Sequence, residues 1–130
     1  MTAVALHPTK RLRGGHRFYP SGPGSPQRLV AYDTQISVID AAGNESILTS
    51  SASSDKNTYF TTWTITDKVY PTNGIDVLAY YTGSAYSTVV GTNIPTPIGP
   101  IVPVLDRLLA ITNNGIERTN PRVDNVWSSN

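Results

Sequence analysis

Ten prolines and ten glycines are scattered through 130 residues. Proline costs a helix a hydrogen bond and a clash, and glycine loosens any regular element, so this spacing favours short strands joined by many turns. The chain carries no cysteine, which removes disulfide frameworks, thiolate metal sites and cysteine nucleophiles together. Only 15% of its residues are charged, against about 25% in an average domain. A chain of this length supports one hydrophobic core and buries roughly two thirds of its unfolded surface, so a single domain over residues 1–130 is expected and self-association would add stability. No run approaches the ~20 apolar residues of a membrane helix, and no apolar signal core follows Met1, so the chain reads as soluble and unprocessed.

The net charge of +1 conceals an asymmetry. Lys10, Arg11, Arg13, Arg17 and Arg28 all precede Asp33, the first carboxylate, while the remainder holds five cations against nine carboxylates. Clustered cations beside Gly14 and Gly15 read either as a segment that neutralises phosphates and releases counterions or as a solvated arm. His7 and His16 lie in the same segment with no acidic or cysteine partner nearby, so neither marks a metal site or a catalytic pair.

Three prolines and two glycines between Tyr19 and Pro26 form a loop, which separates a basic arm or hairpin over residues 1–27 from an antiparallel sheet over 28–93. Arg28–Asp33, Gln35–Asp40 and Glu45–Ser51 read as successive hairpin strands. Thr58–Thr66 is rich in β-branched and aromatic residues, with Tyr59, Trp63 and Ile65 on one side and Phe60, Thr62, Thr64 and Thr66 on the other. Val77–Val90 reads as one further long strand. Between Pro100 and Asn114, Ile101, Val104, Leu105, Leu108 and Leu109 fall at i, i+3, i+4, i+7 and i+8, which predicts an amphipathic helix stopped by Gly115, with Pro103 in its first turn. The helical and tail segment spans 100–130. Its polar end reads as a short helix or a tail, and Trp127 is expected to dock on its own domain or on a neighbour.

The order of these elements resembles the coat proteins of small single-stranded RNA bacteriophages. The residues that carry the likeness are the Ser-rich loop with Lys56-Asn57-Thr58-Tyr59 leading into Phe60–Ile65, Ala79-Tyr80-Tyr81, Ile94-Pro95, and an apolar segment ending in Asn113-Asn114-Gly115. The resemblance implies an α+β subunit: an amino-terminal hairpin, an antiparallel sheet of about five strands, and one or two carboxy-terminal helices packing across a dimer. Two subunits would join sheets edge to edge, with Ile101, Val104, Leu105, Leu108 and Leu109 at the dimer interface. Dimers would build an icosahedral shell in the bacterial host cytoplasm, and the open sheet face would look onto the genome. An RNA hairpin, bound as a translational repressor, is the further partner implied. The RNA contacts expected on this basis are Tyr86 as the base-stacking residue, with Thr62, Thr64, Thr88, Phe60 and Lys56 on the sheet and Lys10, Arg11, Arg13 and Arg17 from the arm. The lysine expected near Thr62 is missing.

An enzyme is disfavoured, because no nucleophile stands with a base and no paired carboxylates or phosphate loop occur; no cofactor or metal is expected. The competing reading is another β-rich module, a phage decoration or tail component or a carbohydrate binder. Tyr80, Tyr81 and Tyr86 would be its sugar platforms, and Asn44-Glu45-Ser46 is a glycosylation sequon.

Overall fold

A computed structural model describes residues 10–20, 25–53 and 56–129. Among these residues twelve strands run in three consecutive antiparallel meanders of four. The first sheet holds β1 (Leu12–Phe18), β2 (Gln27–Tyr32), β3 (Gln35–Ile39) and β4 (Glu45–Thr49). The second holds β5 (Tyr59–Trp63), β6 (Lys68–Thr72), β7 (Ala79–Tyr81) and β8 (Tyr86–Thr88), and the third holds β9 (Val102–Val104), β10 (Arg107–Thr112), β11 (Gly115–Thr119) and β12 (Trp127–Ser129).

The second sheet is the middle layer, and strand periodicity explains why. Successive side chains of a strand point to opposite faces. Phe60 and Thr62 of β5, Val69 of β6 and Tyr81 of β7 face the first sheet, where Val69 and Tyr81 share a buried cluster with Phe18, Leu29 and Val38, and Phe60 packs against it. The intervening residues Trp63, Tyr70 and Leu78 face the third sheet and form a second cluster with Ile101, Leu108, Ala110 and Trp127. Both clusters exclude water, so each face of the middle sheet contributes hydrophobic stabilisation of about 25 cal/mol per Å2 of apolar area covered.

Polar bonds fix the layers in register. Thr61 Oγ1 donates to the Ile101 carbonyl at 2.9 Å and Thr72 Oγ1 to that of Gly99 at 2.8 Å. The carboxylate of Asp124 accepts from Lys68 Nζ at 2.8 Å and Tyr70 Oη at 2.7 Å, while its backbone carbonyl accepts from Trp127 Nε1 at 2.7 Å. Lys68 Nζ also lies 4.1 Å from the centre of the Tyr80 ring. Burial pushes the Tyr70 phenol far above its ordinary range, and Asp124 adds to the rise, so Tyr70 stays a neutral donor.

Two glycines permit backbone-on-backbone contact. A β-carbon at Gly14 would collide with the Thr58 carbonyl, where Thr58 N bonds to Arg13 O at 3.1 Å and so ties β1 to the start of β5. One at Gly91 would collide with the Asn125 carbonyl, which instead accepts from Thr92 N at 2.8 Å.

The α+β expectation is corrected: among the described residues there is no helix. The segment read as an amphipathic helix is the β9–β10 hairpin and its flanks. Leu108, Ala110 and Thr112 point inward and are buried, while Leu109 and Ile111 point outward, a period of two that the sparse leucine stripe concealed. Pro103, the β-branched Ile101, Val102, Val104 and Ile111, and the turns at Leu105-Asp106 and Asn113-Asn114 all favour strands over a short helix. The supposed tail forms β11 and β12. The long strand expected over Val77–Val90 is two short ones, broken where Thr82 N bonds to Ala85 O at 3.0 Å and Gly83 takes φ 102°. The hairpin strands between Arg28 and Thr49 lie where the sequence places them, and Trp127 docks within its own chain at 1% exposure.

Leu108→Ala should lower the free energy of unfolding by about 2–5 kcal/mol through the cavity it leaves, read from urea titration followed by Trp fluorescence. Gly91→Ala should likewise shift the urea midpoint downward, whereas Gly43→Ser, where a β-carbon meets open space, should cost less despite its φ of 90°.

Candidate functional site

The residues expected on an open RNA-facing sheet are placed in several different environments. Tyr86 pairs with Tyr81 in β8 and packs against the cluster between the first two sheets, where burial pushes its phenol up to about 12. Phe60 is sandwiched in the same seam, stacked on His16 with ring centres 6.0 Å apart. Thr62 Oγ1 is hydrogen-bonded to His16 Nε2 at 2.7 Å. Thr64 and Thr88 are exposed. The middle sheet therefore offers no open face on which Tyr86, Phe60 and Thr62 could meet a nucleic acid together. Of the tyrosines proposed as sugar platforms, Tyr81 is buried and Tyr80 is half-buried beneath Lys68. Asn44 of the sequon is exposed and bonds to Asp40.

The basic residues divide similarly. β1 shifts register between Leu12 and Gly14, and Arg13 at this irregularity is only 3% exposed. Its Nη1 donates to the Lys56 carbonyl at 3.0 Å and to Thr58 Oγ1 at 2.7 Å, while Nε and Nη2 have no hydrogen-bond partner. Burial lowers the Arg13 pKa, and the charges of Asp76 and Asp33 oppose that shift, so this guanidinium is a structural strut between β1 and the loop before β5. Asp76 in turn accepts from Ser53 N at 2.7 Å, Ser53 Oγ at 2.6 Å and Asn73 Nδ2 at 2.7 Å. Burial works to raise its pKa, but these bonds prevail and hold it below the ordinary range. Lys10, Arg11, Arg17 and Lys56 are exposed. Lys10 Nζ reaches Gln35 Oε1 at 3.2 Å, and the Arg11 backbone N–H donates to Asp33. His7 lies outside the described residues.

The residues expected at a dimer interface are split by the turn of the hairpin. Ile101 and Leu108 are fully buried in their own chain, so the helix-borne interface is corrected. Val104, Leu105 and Leu109 stand on the other side. On the outward face of the third sheet Val102 pairs with Leu109, Val104 with Arg107 and Ile111 with Ile116, and the Ile98 N–H bonds to the Ile111 carbonyl beside them. Ile98, Val102, Val104, Ile111 and Ile116 are each about half exposed, and Leu105 is 93% exposed. These side chains amount to a few hundred Å2 of apolar surface, at the upper end of what monomers leave bare. Ile98, Ile111 and Ile116 carried no signal in a helical reading; they emerge only once the period is two.

Leu105 adds a second oddity. It opens the two-residue β9–β10 turn with φ 53°, a left-handed conformation that suits Gly or Asn and strains a bulky side chain. The fold thus holds an apolar residue, almost wholly in water, at a position where a polar one would be more stable.

Among the described residues no group of three or more His, Asp or Glu side chains is gathered as for a metal ion, and no helix is long and apolar enough to cross a membrane. The sequence matches no family model, no curated protein and no solved structure.

His16 makes the first seam pH-sensitive. Burial lowers its pKa below 6.5, so as pH falls the unfolded chain takes up the proton first. Stability is complete above 6.5 and declines below it, levelling once the folded state is protonated too. Urea midpoints should therefore fall between pH 7.5 and 5, and His16→Gln should flatten that dependence.

Proposed function

We propose that this protein is a structural subunit rather than an enzyme: a β-rich virion component that associates with further copies of itself through the outward face of its third sheet. The observation that carries the reading is the apolar surface of Val102, Val104, Leu105, Ile111 and Ile116. A stable interface covers about 800 Å2 on each partner. A few hundred Å2 of aliphatic surface with a half-buried Leu109 among it forms a core for such a contact, and Arg107 and Arg118 on the same face supply a polar rim. Face-to-face packing is favoured over strand addition, because Pro103 in the middle of edge strand β9 has no N–H to offer a new neighbour.

In an assembled shell the exposed cations Lys10, Arg11, Arg17 and Lys56 are the expected contacts that remain for a packaged nucleic acid, in place of a sheet-face site. The carboxylates of Asp76 and Asp124 are committed to bonds that hold loops and layers, which suits a scaffold better than a catalyst.

Light scattering after size exclusion, with negative-stain microscopy, should show multimers or particles for the native chain. Ile111→Glu should weaken association by roughly 30-fold or more, since a carboxylate would be driven into an apolar contact at about 2 kcal/mol or above. A native chain that stays monomeric at its highest soluble concentration overturns the reading.

A further inference from the structure

The opposite surface of the molecule carries a different kind of site. In the amino-terminal hairpin Arg17 of β1 and Arg28 of β2 are direct register partners. Their neighbours Phe18 and Leu29 point into the first core cluster and are fully buried, so both arginines project from the outward side of the first sheet, where both are exposed.

The two arginines line a groove of about 560 Å3 together with Tyr19, Pro26, Asp40 and Gly43. That volume falls within the range of small-ligand sites. Tyr19 is 61% exposed, and its hydroxyl lies 3.3 Å from Arg17 Nη1, which steadies the ring at the rim. Asp40 occupies the opposing wall at the start of the β3–β4 turn. Its carboxylate accepts from the backbone N–H of Asn44 at 2.8 Å, from that of Ala42 at 3.0 Å and from Asn44 Nδ2 at 3.3 Å. These bonds, the Asn44 backbone foremost, hold its pKa below the ordinary carboxylate range, so it is an anchored acceptor at neutral pH.

Three recognition elements therefore converge: guanidiniums for an oxyanion, an aromatic face for the C–H side of a ring, and a fixed acceptor for a hydroxyl. A carboxylated sugar meets all three within one residue, since its carboxylate matches the guanidinium fork, its ring lies on Tyr19 and its hydroxyls can donate to Asp40. A nucleic acid also offers an anion and a ring, but its phosphate stands apart from the base ring that would lie on Tyr19, whereas a uronate carries its carboxylate and its hydroxyls on the one ring. The geometry points to a binding site for the uronic-acid units of an acidic polysaccharide. The inference is independent of self-association, because this groove and the apolar face lie on different sheets.

Isothermal titration of the full chain with trigalacturonic acid tests it. Binding is expected for the native protein, at least about tenfold weaker for Arg17→Gln and for Arg28→Gln, weaker again for Tyr19→Ala, and lost when the trimer is methyl-esterified. Asn120→Ser, exposed between β11 and β12 and outside both proposed surfaces, should bind like the native chain, and circular dichroism of each variant checks the fold. Absence of binding, equal binding of the ester, unchanged affinity in both arginine variants, or tighter binding of oligouridylate at the same salt would each overturn the assignment.

Discussion

The architecture depends on one sheet being buried on both faces. β5, β6 and β7 alternate large apolar residues to each side, and the chain before and after them supplies a cover for each. Trp63 and Tyr70 are matched by Ile101, Leu108 and Trp127 on one side, while Val69 and Tyr81 are matched by Phe18, Leu29 and Val38 on the other. Remove either cover and the middle sheet exposes a continuous apolar surface to water. The Asp124 network and the Thr61 and Thr72 bonds set how the third layer sits. His16, bonded to Thr62 and stacked on Phe60, does the same for the first, and its neutral ring links that seam to pH.

Layering also decides which chemistry reaches solvent. With most of the middle sheet covered, Thr61, Thr62, Thr72, Tyr70 and Tyr81 act as packing and hydrogen-bonding groups between layers, while Tyr59 and Thr88 stay exposed. The two outer surfaces differ in character. The third sheet turns aliphatic side chains outward and presents Leu105 at a strained, solvated turn, a combination that lowers the stability of an isolated chain; the partner surface proposed above would relieve the exposure, though not the backbone strain. The first sheet turns Arg17 and Arg28 outward beside Tyr19. A subunit with the apolar face proposed for self-association and the groove proposed for a ligand would combine assembly with attachment, in keeping with the virion role proposed above.

Much of the fold was legible in the residues. Hairpin strands between Arg28 and Thr49 and the two-sided pattern of Tyr59–Trp63 follow from alternation and turn chemistry that act within a few residues, although the strand expected over Thr58–Thr66 ends at Trp63 in a turn, and residues 21–24 of the expected Tyr19–Pro26 loop lie outside the described residues. The candidate surfaces were less legible. Val104, Leu105 and Leu109 stood out by their spacing and do lie outward, but Ile101 and Leu108 belong to the core, and Arg28 joins Arg17 and its near neighbour Tyr19 only because the β1–β2 register brings it there.

Local sequence determined that this chain would be rich in short strands, because prolines, glycines and β-branched residues impose their conformational limits wherever they stand. Tertiary structure alone decided that residues 100–114 form strands and that Phe60, Thr62 and Tyr86 of the middle sheet pack against the first sheet. A five-residue apolar stripe satisfies a period of 3.6 and a folded hairpin equally well, and the choice falls to whichever form seals Trp63 and Trp127 from water. Those two members of one core cluster stand 64 positions apart in the chain, beyond the reach of any local pattern.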